Sequence, residues 1–444
     1  MSGPLLPDRG PFALRARLLT PLRGGGHRWE PDALVSVTAE GRIGHVGAWD
    51  GSPAIDVRPW VVLPGLVDLH AHLPQLPNVG RGAGLDLLTW LERYVFPLER
   101  AFDRPAAEQL APAAFRAFAA AGSTTVVLYG AVYEDSLHAA FEAAEAHGIR
   151  AVIGKVMMDR LRYDPELSDT AVLEASLRQT ADLIDRWHGR DDGRLRYAVT
   201  PRFAVSCSPE MLRASAELAS STGAYWQTHL AEDRGEMAEV ARLFPGASDY
   251  TDVYARAGGL GPRSIFAHAI HLGAGELARL VESGSHVAHC PASNLFLASG
   301  AMPLAAYLAA GLSVGLGSDV AAGPDLSLFG VMRAGAYTQN GRRSMLGDTA
   351  PPLGPLDWLT LGSLGGARAL GIDATIGSVE AGKEADIICV DTALTDPLPD
   401  SGPRPVDAAD EASDIASRLI FRGHRDMVRG AWVRGRRLDG PGTR

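Results

Sequence analysis

His70 and His72, two residues apart, are the first residues of this chain whose type and spacing could bind a metal ion. They close the segment GLVDLHAH at 65–72, whose apolar residues predict a buried strand. Side chains alternate between the two faces of a strand, so both imidazoles would point the same way and could share one ion. Thirteen histidines in 444 residues would give roughly 0.4 such pairs by chance. The pair is therefore informative only if further ligands join it.

Three more side chains that can bind a metal end apolar runs, namely His229 in YWQTHL, His268 in SIFAH and Asp319 in GLSVGLGSD. If these runs are strands of a parallel barrel, their carboxyl ends meet at the rim where barrel enzymes hold their active sites. Each histidine alone is more typical of a hydrogen-bonded polar residue. Together they predict three histidines and one carboxylate around an ion, which leaves a position for water, as in catalytic zinc sites. Zinc lowers the pKa of bound water to about 7, so the chemistry predicted is hydrolysis.

Glu232 lies three residues after His229, just beyond the predicted strand. Hydrolysis at a metal needs an acid or base that is not itself a ligand. Glu232 is placed to carry a proton between the water and a substrate. The alternative is a carboxylate that stabilises a helix N-terminus through the helix dipole. We favour the catalytic interpretation because the predicted metal site requires such a group.

The elements that must position these residues follow a repeating pattern. A helix ending, a glycine and a β-rich apolar run occur in succession at Gly122, Gly148, Gly223, Gly284 and Gly311. Glycine closes helices in the left-handed conformation, and strands that alternate with helices predict a parallel sheet. Eight candidate strands lie near residues 62–72, 124–129, 151–157, 197–203, 226–230, 264–268, 286–290 and 314–319. Eight units over about 310 residues predict a distorted (β/α)8 barrel, with an open, doubly wound sheet as the alternative.

The two ends of the chain have a different pattern of short strands and turns, as in ALVSVTAEGRIGHVG and MVRGAWVRGRRL. We expect them to join into one small β-sandwich beside the barrel. The predicted divisions are 1–61 for the N-terminal part of the sandwich, 62–375 for the barrel, and 376–444 for the C-terminal part with the tail. The segment 392–414, rich in Pro, Asp and Ala, predicts a surface loop.

Composition narrows the partners and the compartment. The net charge of −10 and the scattered arginines argue against a nucleic-acid partner. Three distant cysteines without a CxxC motif predict a reducing, cytoplasmic setting and no cysteine metal site. Pro, Asp and Arg interrupt the N-terminus, which does not read as a signal peptide. Residues 283–318 lack charged side chains but contain histidine, asparagine and proline, which favours a barrel interior over a membrane span.

These ligands and their strand positions resemble the amidohydrolase superfamily, and so do VLPGLVDLHAH at 62–72 and GSVEAGKEADIICVD at 377–391. The resemblance implies that His70, His72, His229 and Asp319 bind one zinc ion per subunit, with iron as an alternative, in a homodimer. Members with two metals generally bridge them with a carboxylated lysine on the fourth strand. That strand ends TPRF here, and Lys155 lies one strand earlier, so the mononuclear type is favoured.

Within that superfamily, several segments resemble the guanine deaminases. They are HxHxxQ at 70–75, LLTWLERYVFPLE at 87–99, GKVMMD at 154–159, TPRF at 200–203, QTHLAE at 227–232 and HCPASNLFL at 289–297. The resemblance implies that Glu232 moves the proton, aided by Asp319, and that His268 polarises or orients the attacked centre. It also implies that Gln75, Arg202 and Phe203 hold a purine. The expected reaction is hydrolysis of guanine to xanthine and ammonia.

Two alternatives to this activity remain at this point. The segments after His72 and after Asp319 follow the guanine deaminases only in part, so the substrate could be another amino-purine such as 8-oxoguanine, a pterin or an aminotriazine. A more distant alternative is a binding protein that kept the barrel and lost catalysis. Such a protein should lack one or more ligands, whereas every expected position is filled here.

Overall fold

The structure is a computed structural model that describes residues 4–161, 166–396 and 411–440. Its strands are β1 Phe12–Pro21, β2 His27–Val37, β3 Ile43–Ala48, β4 Ile55–Pro64, β5 Leu66–His72, β6 Ser123–Tyr129, β7 Arg150–Gly154, β8 Val156–Met157, β9 Leu195–Pro201, β10 Tyr225–Leu230, β11 Ser264–His268, β12 His286–His289, β13 Ser313–Leu316, β14 Ile387–Val390, β15 Val428–Val433 and β16 Arg436–Arg437. They form two sheets, one parallel and one mostly antiparallel.

The helices mostly connect the parallel strands. They are α1 Leu87–Trp90, α2 Phe96–Arg100, α3 Arg104–Ala120, α4 Glu134–His147, α5 Asp169–Trp187, α6 Arg190–Gly193, α7 Pro209–Thr222, α8 Arg234–Leu243, α9 Tyr250–Ala257, α10 Ala274–Glu282, α11 Pro291–Phe296, α12 Leu304–Ala309, α13 Leu328–Gly341, α14 Pro355–Thr360, α15 Gly366–Ala369 and α16 Ala412–Arg422. Wider helical turns cover Leu91–Val95, Arg342–Leu346 and Leu361–Gly365, and tighter ones Leu73–Asn78, Ala204–Ser206, Thr392–Thr395 and Arg425–Met427. Gly148 and Gly223 end α4 and α7 in the left-handed conformation, with φ of 92° and 73°, as the repeating pattern predicts.

Eight parallel strands form the barrel, in the order β5-β6-β7-β9-β10-β11-β12-β13, and β8 pairs with β9 beside this path. The first and last strands meet where the Asp319 amide donates to the His70 carbonyl at 2.7 Å. The eight-stranded parallel barrel and the (β/α)8 class are therefore confirmed, but the run predicted at 151–157 is divided between β7 and β8. The strand expected at 62–72 is in fact two strands, since β4 ends at Pro64 in the other sheet and β5 begins at Leu66.

The second sheet joins both ends of the chain in the order β16-β15-β14-β4-β1-β2-β3. Alternate side chains on one of its faces form a separate apolar cluster that includes Leu14, Val62 and Ile387. The opposite face, with Leu63 and Ile388, packs into the main core of the barrel. The terminal segments thus form one β unit attached to the barrel, while the division at residues 62 and 376 stays a prediction.

Other expectations for the chain ends have mixed outcomes. Most of the loop predicted at 392–414 lies outside the described residues. Its described ends are a tight helical turn, Thr392–Thr395, and the start of α16, so the expectation of a loop is wrong at 412–414. Among the described residues, no helix combines the length and the apolar character that a membrane crossing requires.

Candidate active site

The predicted metal ligands lie at the carboxyl ends of the barrel strands. His70 and His72 lie at the end of β5, His229 lies one residue before the end of β10, and His268 ends β11. Asp319 follows β13, and all five side chains are buried. The alternation that predicts a shared direction for His70 and His72 is confirmed by their geometry, because both rings contact the same carboxylate.

Distances between the polar atoms define one compact cluster. Asp319 Oδ1 lies 3.1 Å from His70 Nε2 and 3.4 Å from His72 Nε2. His72 Nε2 lies 3.3 Å from His229 Nε2, and His268 Nε2 lies 3.8 Å from Asp319 Oδ2. Ligand atoms of His70, His72 and His229 lie within 4.8 Å of one another, and so do those of His70, His268 and Asp319. The arrangement brings every predicted ligand to one point.

The donor set at this point fits a metal ion. His229 Nδ1 lies 2.7 Å from the carbonyl oxygen of Arg202, which can only accept, so its proton is on Nδ1 and its Nε2 lone pair faces the cluster. Burial lowers the pKa of His70 and of His229, and it lowers the pKa of His72 to about 4. The imidazoles are therefore neutral, as metal ligands must be. Neutral nitrogens facing each other beside a carboxylate form an electron-rich centre that a cation would satisfy.

Asp319 is held in an ionised and fixed state. Burial opposes its ionisation, but His70 and His72 hold the pKa of the carboxyl well below the ordinary value. Ser293 on α11 donates its hydroxyl to Oδ2 at 2.5 Å. The Asp319 backbone has φ of 50°, which is unusual for a residue other than glycine and is typical of functional sites.

Glu232 lies beside the cluster without belonging to either group of convergent ligand atoms. Its Oε2 is 3.3 Å from His268 Nε2, and its Oε1 accepts from the Ser299 hydroxyl at 3.4 Å. Burial, and then the charge of Asp319, raise the pKa of Glu232 well above its usual value. The backbone amide of Glu232 donates to the Glu236 carboxylate, and the Glu232 carboxylate takes no part in this bond. The carboxylate therefore faces the site, as the catalytic interpretation requires.

The structure adds residues that the sequence reasoning missed. Asn294 Oδ1 accepts from His268 Nδ1 at 2.8 Å, which fixes the tautomer of that ring and turns Nε2 toward Glu232. Asp68 Oδ1 accepts from the amides of Ser318 at 2.9 Å and His70 at 3.3 Å, and so ties β5 to the segment before Asp319. Burial raises the pKa of Asp68 to about 7. The signals available in the sequence were a carboxylate inside an apolar strand and the segment HCPASNLFL.

The predicted purine contacts lie on one side of the cluster, but not all together. A cavity of about 20 Å³ separates the barrel rim from the α1 region, and it is lined by Leu87, Leu91, Arg202, Phe203, His229 and Glu232. Gln75 does not line this cavity. A volume of this size admits about one water, so the cavity as it stands is too small for a purine. Four larger cavities elsewhere in the described chain share no residue with the histidine cluster.

Arg202 and Gln75 are joined by Glu99, a residue to which the sequence analysis gives no role. Glu99, on α2, is fully buried and accepts from Arg202 Nη1 at 2.6 Å and from Gln75 Nε2 at 2.9 Å. Burial opposes its ionisation, but the charge of Arg202 holds the pKa of Glu99 below its ordinary value. Arg202 has both this buried partner and a place beside the cavity.

Lys155 lies away from the cluster. Its Nζ donates to Ser176 Oγ on α5 at 3.0 Å, between the barrel wall and the outer helices. The fourth barrel strand, β9, is followed by Arg202 rather than a lysine. Both observations support the mononuclear interpretation.

The fold and the cluster together define the class of this protein. A profile of the Amidohydrolase family matches residues 61–438, and the chain belongs to this family. Among individual proteins, it is 38% identical over 370 residues to the probable guanine deaminase of Deinococcus radiodurans. The aligned region covers 80% of this chain and 82% of that protein.

Solved structures agree with that similarity. Guanine deaminase from C. acetobutylicum with bound guanine has a TM-score of 0.88 at 27% identity, over 97% of this chain and 100% of that one. An adenosine deaminase from Xanthomonas campestris with bound zinc has a TM-score of 0.79 at 26% identity, over 97% and 93% of the two chains.

Proposed function

We propose that this protein hydrolyses guanine to xanthine and ammonia, as a hydrolase that acts on C–N bonds of cyclic amidines. The observation that carries the proposal is the buried cluster of His70, His72, His229 and Asp319 with Glu232 beside it. The relatives named guanine deaminase, one of them solved with guanine, support the choice of substrate.

One zinc ion per subunit would be held by His70, His72, His229 and Asp319, and iron is the alternative ion. The relative solved with zinc supports this choice. A divalent ion held there supplies a nucleophile at neutral pH, because it lowers the pKa of a bound water to about 7. The four residues supply three neutral nitrogens and one ionised oxygen, a donor set that leaves a position open for that water.

Glu232 moves the protons of the reaction. Its carboxylate takes a proton from the attacking water as the new C2–O bond forms, and delivers it to the ring nitrogen next to C2. Glu232 then carries a second proton, from the hydroxyl now on C2, to the exocyclic amino group; the C2–N bond breaks, the C2 carbonyl forms, and ammonia leaves. The sum is guanine and water giving xanthine and ammonia. His268, whose tautomer Asn294 fixes, lies 3.3 Å from Glu232 and orients the attacked centre.

Arg202, Phe203 and Gln75 hold the purine. The Arg202 guanidinium offers planar donors for a carbonyl edge, and Phe203 forms an apolar wall against a flat ring. Phe203 lies with its ring 6.4 Å from the His229 ring, which sets the wall next to the metal ligands. Substrate access requires an outward movement of the helical segment that carries Leu87 and Leu91.

A panel of substrates tests this proposal. The zinc-loaded protein is given guanine, 8-oxoguanine, a pterin, adenine and an aminotriazine, and ammonia and the deaminated oxo product are measured. We expect guanine to be turned over best. If guanine gives no xanthine while another member of the panel is turned over, the proposed substrate is wrong and the proposed hydrolase activity stands. No turnover of any member, with far less than one metal per chain, would favour a binding protein.

Two further proposals concern the assembly and the compartment. We expect a homodimer, which the mass of the purified protein in solution would test. We also expect a cytoplasmic location, in agreement with the three cysteines, all of which are buried free thiols. Cell fractionation would test the location.

A further inference from the structure

Glu99 occupies a position that the proposed reaction does not yet use. Both of its carboxylate oxygens contact Arg202 Nη1, at 2.6 and 2.5 Å, and Oε1 also accepts from Gln75 Nε2 at 2.9 Å. The exposed fraction is 0% for Glu99, 1% for Gln75 and 2% for Arg202. A buried charge is stable only with a partner, so this carboxylate and this guanidinium require each other.

The carboxylate also determines which way the Gln75 amide faces. An ionised carboxylate only accepts hydrogen bonds, so the NH2 group of Gln75, and not its oxygen, must face Glu99. Gln75 Oε1 is then directed to the other side. It is buried and has no hydrogen-bond partner among the described residues. A buried acceptor left unpaired is costly, so the site gains when a ligand donates an N–H to it.

We propose that Glu99 is a positioning residue for the substrate, which it serves through Arg202 and Gln75. The proposal rests on the proposed function, in which those two residues contact the purine. Glu99 holds the guanidinium of Arg202 in place, and it turns Gln75 so that the amide oxygen accepts from a ring N–H of the substrate. The site therefore selects a heterocycle that offers an N–H donor at this edge, and it disfavours one with a lone pair or a methyl group there.

Glu99→Gln tests the proposal because it keeps the size and removes the charge that fixes the amide. We expect KM for guanine to rise about 10- to 100-fold with a smaller change in kcat, since hydrogen bonds to charged groups are the strong ones. Glu99→Asp, which keeps the charge on a shorter side chain, should rescue part of the loss. In a Gln75→Leu background, the same Glu99→Gln change should raise KM less, because only its route through Arg202 remains.

A matched control separates positioning from general damage. Glu384→Gln removes a carboxylate from another buried ion pair, in which Glu384 and Asp386 bind Arg150 between the barrel and the second sheet. We expect it to lower the melting temperature and leave KM unchanged.

Turnover by the wild-type protein distinguishes failure of the proposed function from failure of this inference. If guanine is not a substrate, the proposed substrate is wrong, and the variants are compared on the panel member that is turned over. If Glu99→Gln changes only the melting temperature, Glu99 is structural and the inference is wrong. If it raises KM as much in the Gln75→Leu background as alone, Glu99 does not act through Gln75, and that part of the inference is wrong.

Discussion

Lys155 offers a test of the structure through the pH dependence of stability. It is buried against Ser176, and this burial lowers the pKa of its ammonium from 10.5 to about 8. In the unfolded chain the pKa returns to its ordinary value, so the unfolded state binds the proton more tightly. The sign follows from this difference. At a pH above the pKa of the unfolded state, burial of Lys155 costs no folding free energy. The cost grows as the pH falls toward 8, and below that pH it is constant.

The magnitude follows from the same two values. The difference between the two pKa values corresponds to about 3 kcal/mol, at 1.36 kcal/mol per pH unit. Linkage then gives a cost in folding free energy of about 3 kcal/mol at pH 7, about 2 kcal/mol at pH 9 and about 1 kcal/mol at pH 10. Lys155→Met, which keeps the length of the chain without the charge, removes this cost. We expect the variant to be more stable than the wild type at pH 7, with an advantage that shrinks as the pH rises.

Urea unfolding of both proteins at pH 7, 9 and 10 measures the difference, in which the other titrating groups largely cancel. Metal content and turnover are measured beside it. We expect both to be unchanged, because Lys155 contacts α5 rather than the histidine cluster. A stability difference that is independent of pH would refute the buried-amine argument. A loss of bound metal would refute the mononuclear interpretation.

Three further predictions concern the site directly. Glu232→Gln should keep the bound metal and the fold but lower kcat by about 10²- to 10⁴-fold, as metal analysis and steady-state kinetics would show, because the proton carrier is lost. Asn294→Leu should lower kcat by about 10- to 100-fold, since it frees the tautomer of His268, and wild-type kinetics would contradict this role. Gly317→Ala would place a Cβ 2.7 Å from His70 Cβ. We expect the free energy of unfolding to fall by about 1–3 kcal/mol and metal binding to weaken, as unfolding and metal titration would show.

The barrel and the metal ligands were predictable because their signals are local. Strand alternation places His70 and His72 on one side, and the end of each apolar run marks the rim. The run at 62–72 was predicted as one strand although Pro64 and Gly65, a pair that marks turns, lie where the chain leaves one sheet for the other. A Cβ at Gly65 would meet the side chain of Thr124 at 2.0 Å, a distant contact that the sequence does not show.

The residues that hold the ligands in place gave no local signal, because their partners are far along the chain. Asn294 lies 26 residues from His268, Asp68 lies 250 from Ser318, and Glu99 lies 103 from Arg202. A physical requirement could still have pointed to one of them. Once Arg202 is placed in a buried site, its charge requires a carboxylate nearby. Of the segments that resemble the guanine deaminases, LLTWLERYVFPLE ends in a glutamate, and that glutamate is Glu99. A charged residue placed in a buried site therefore predicts a counter-charge beside it.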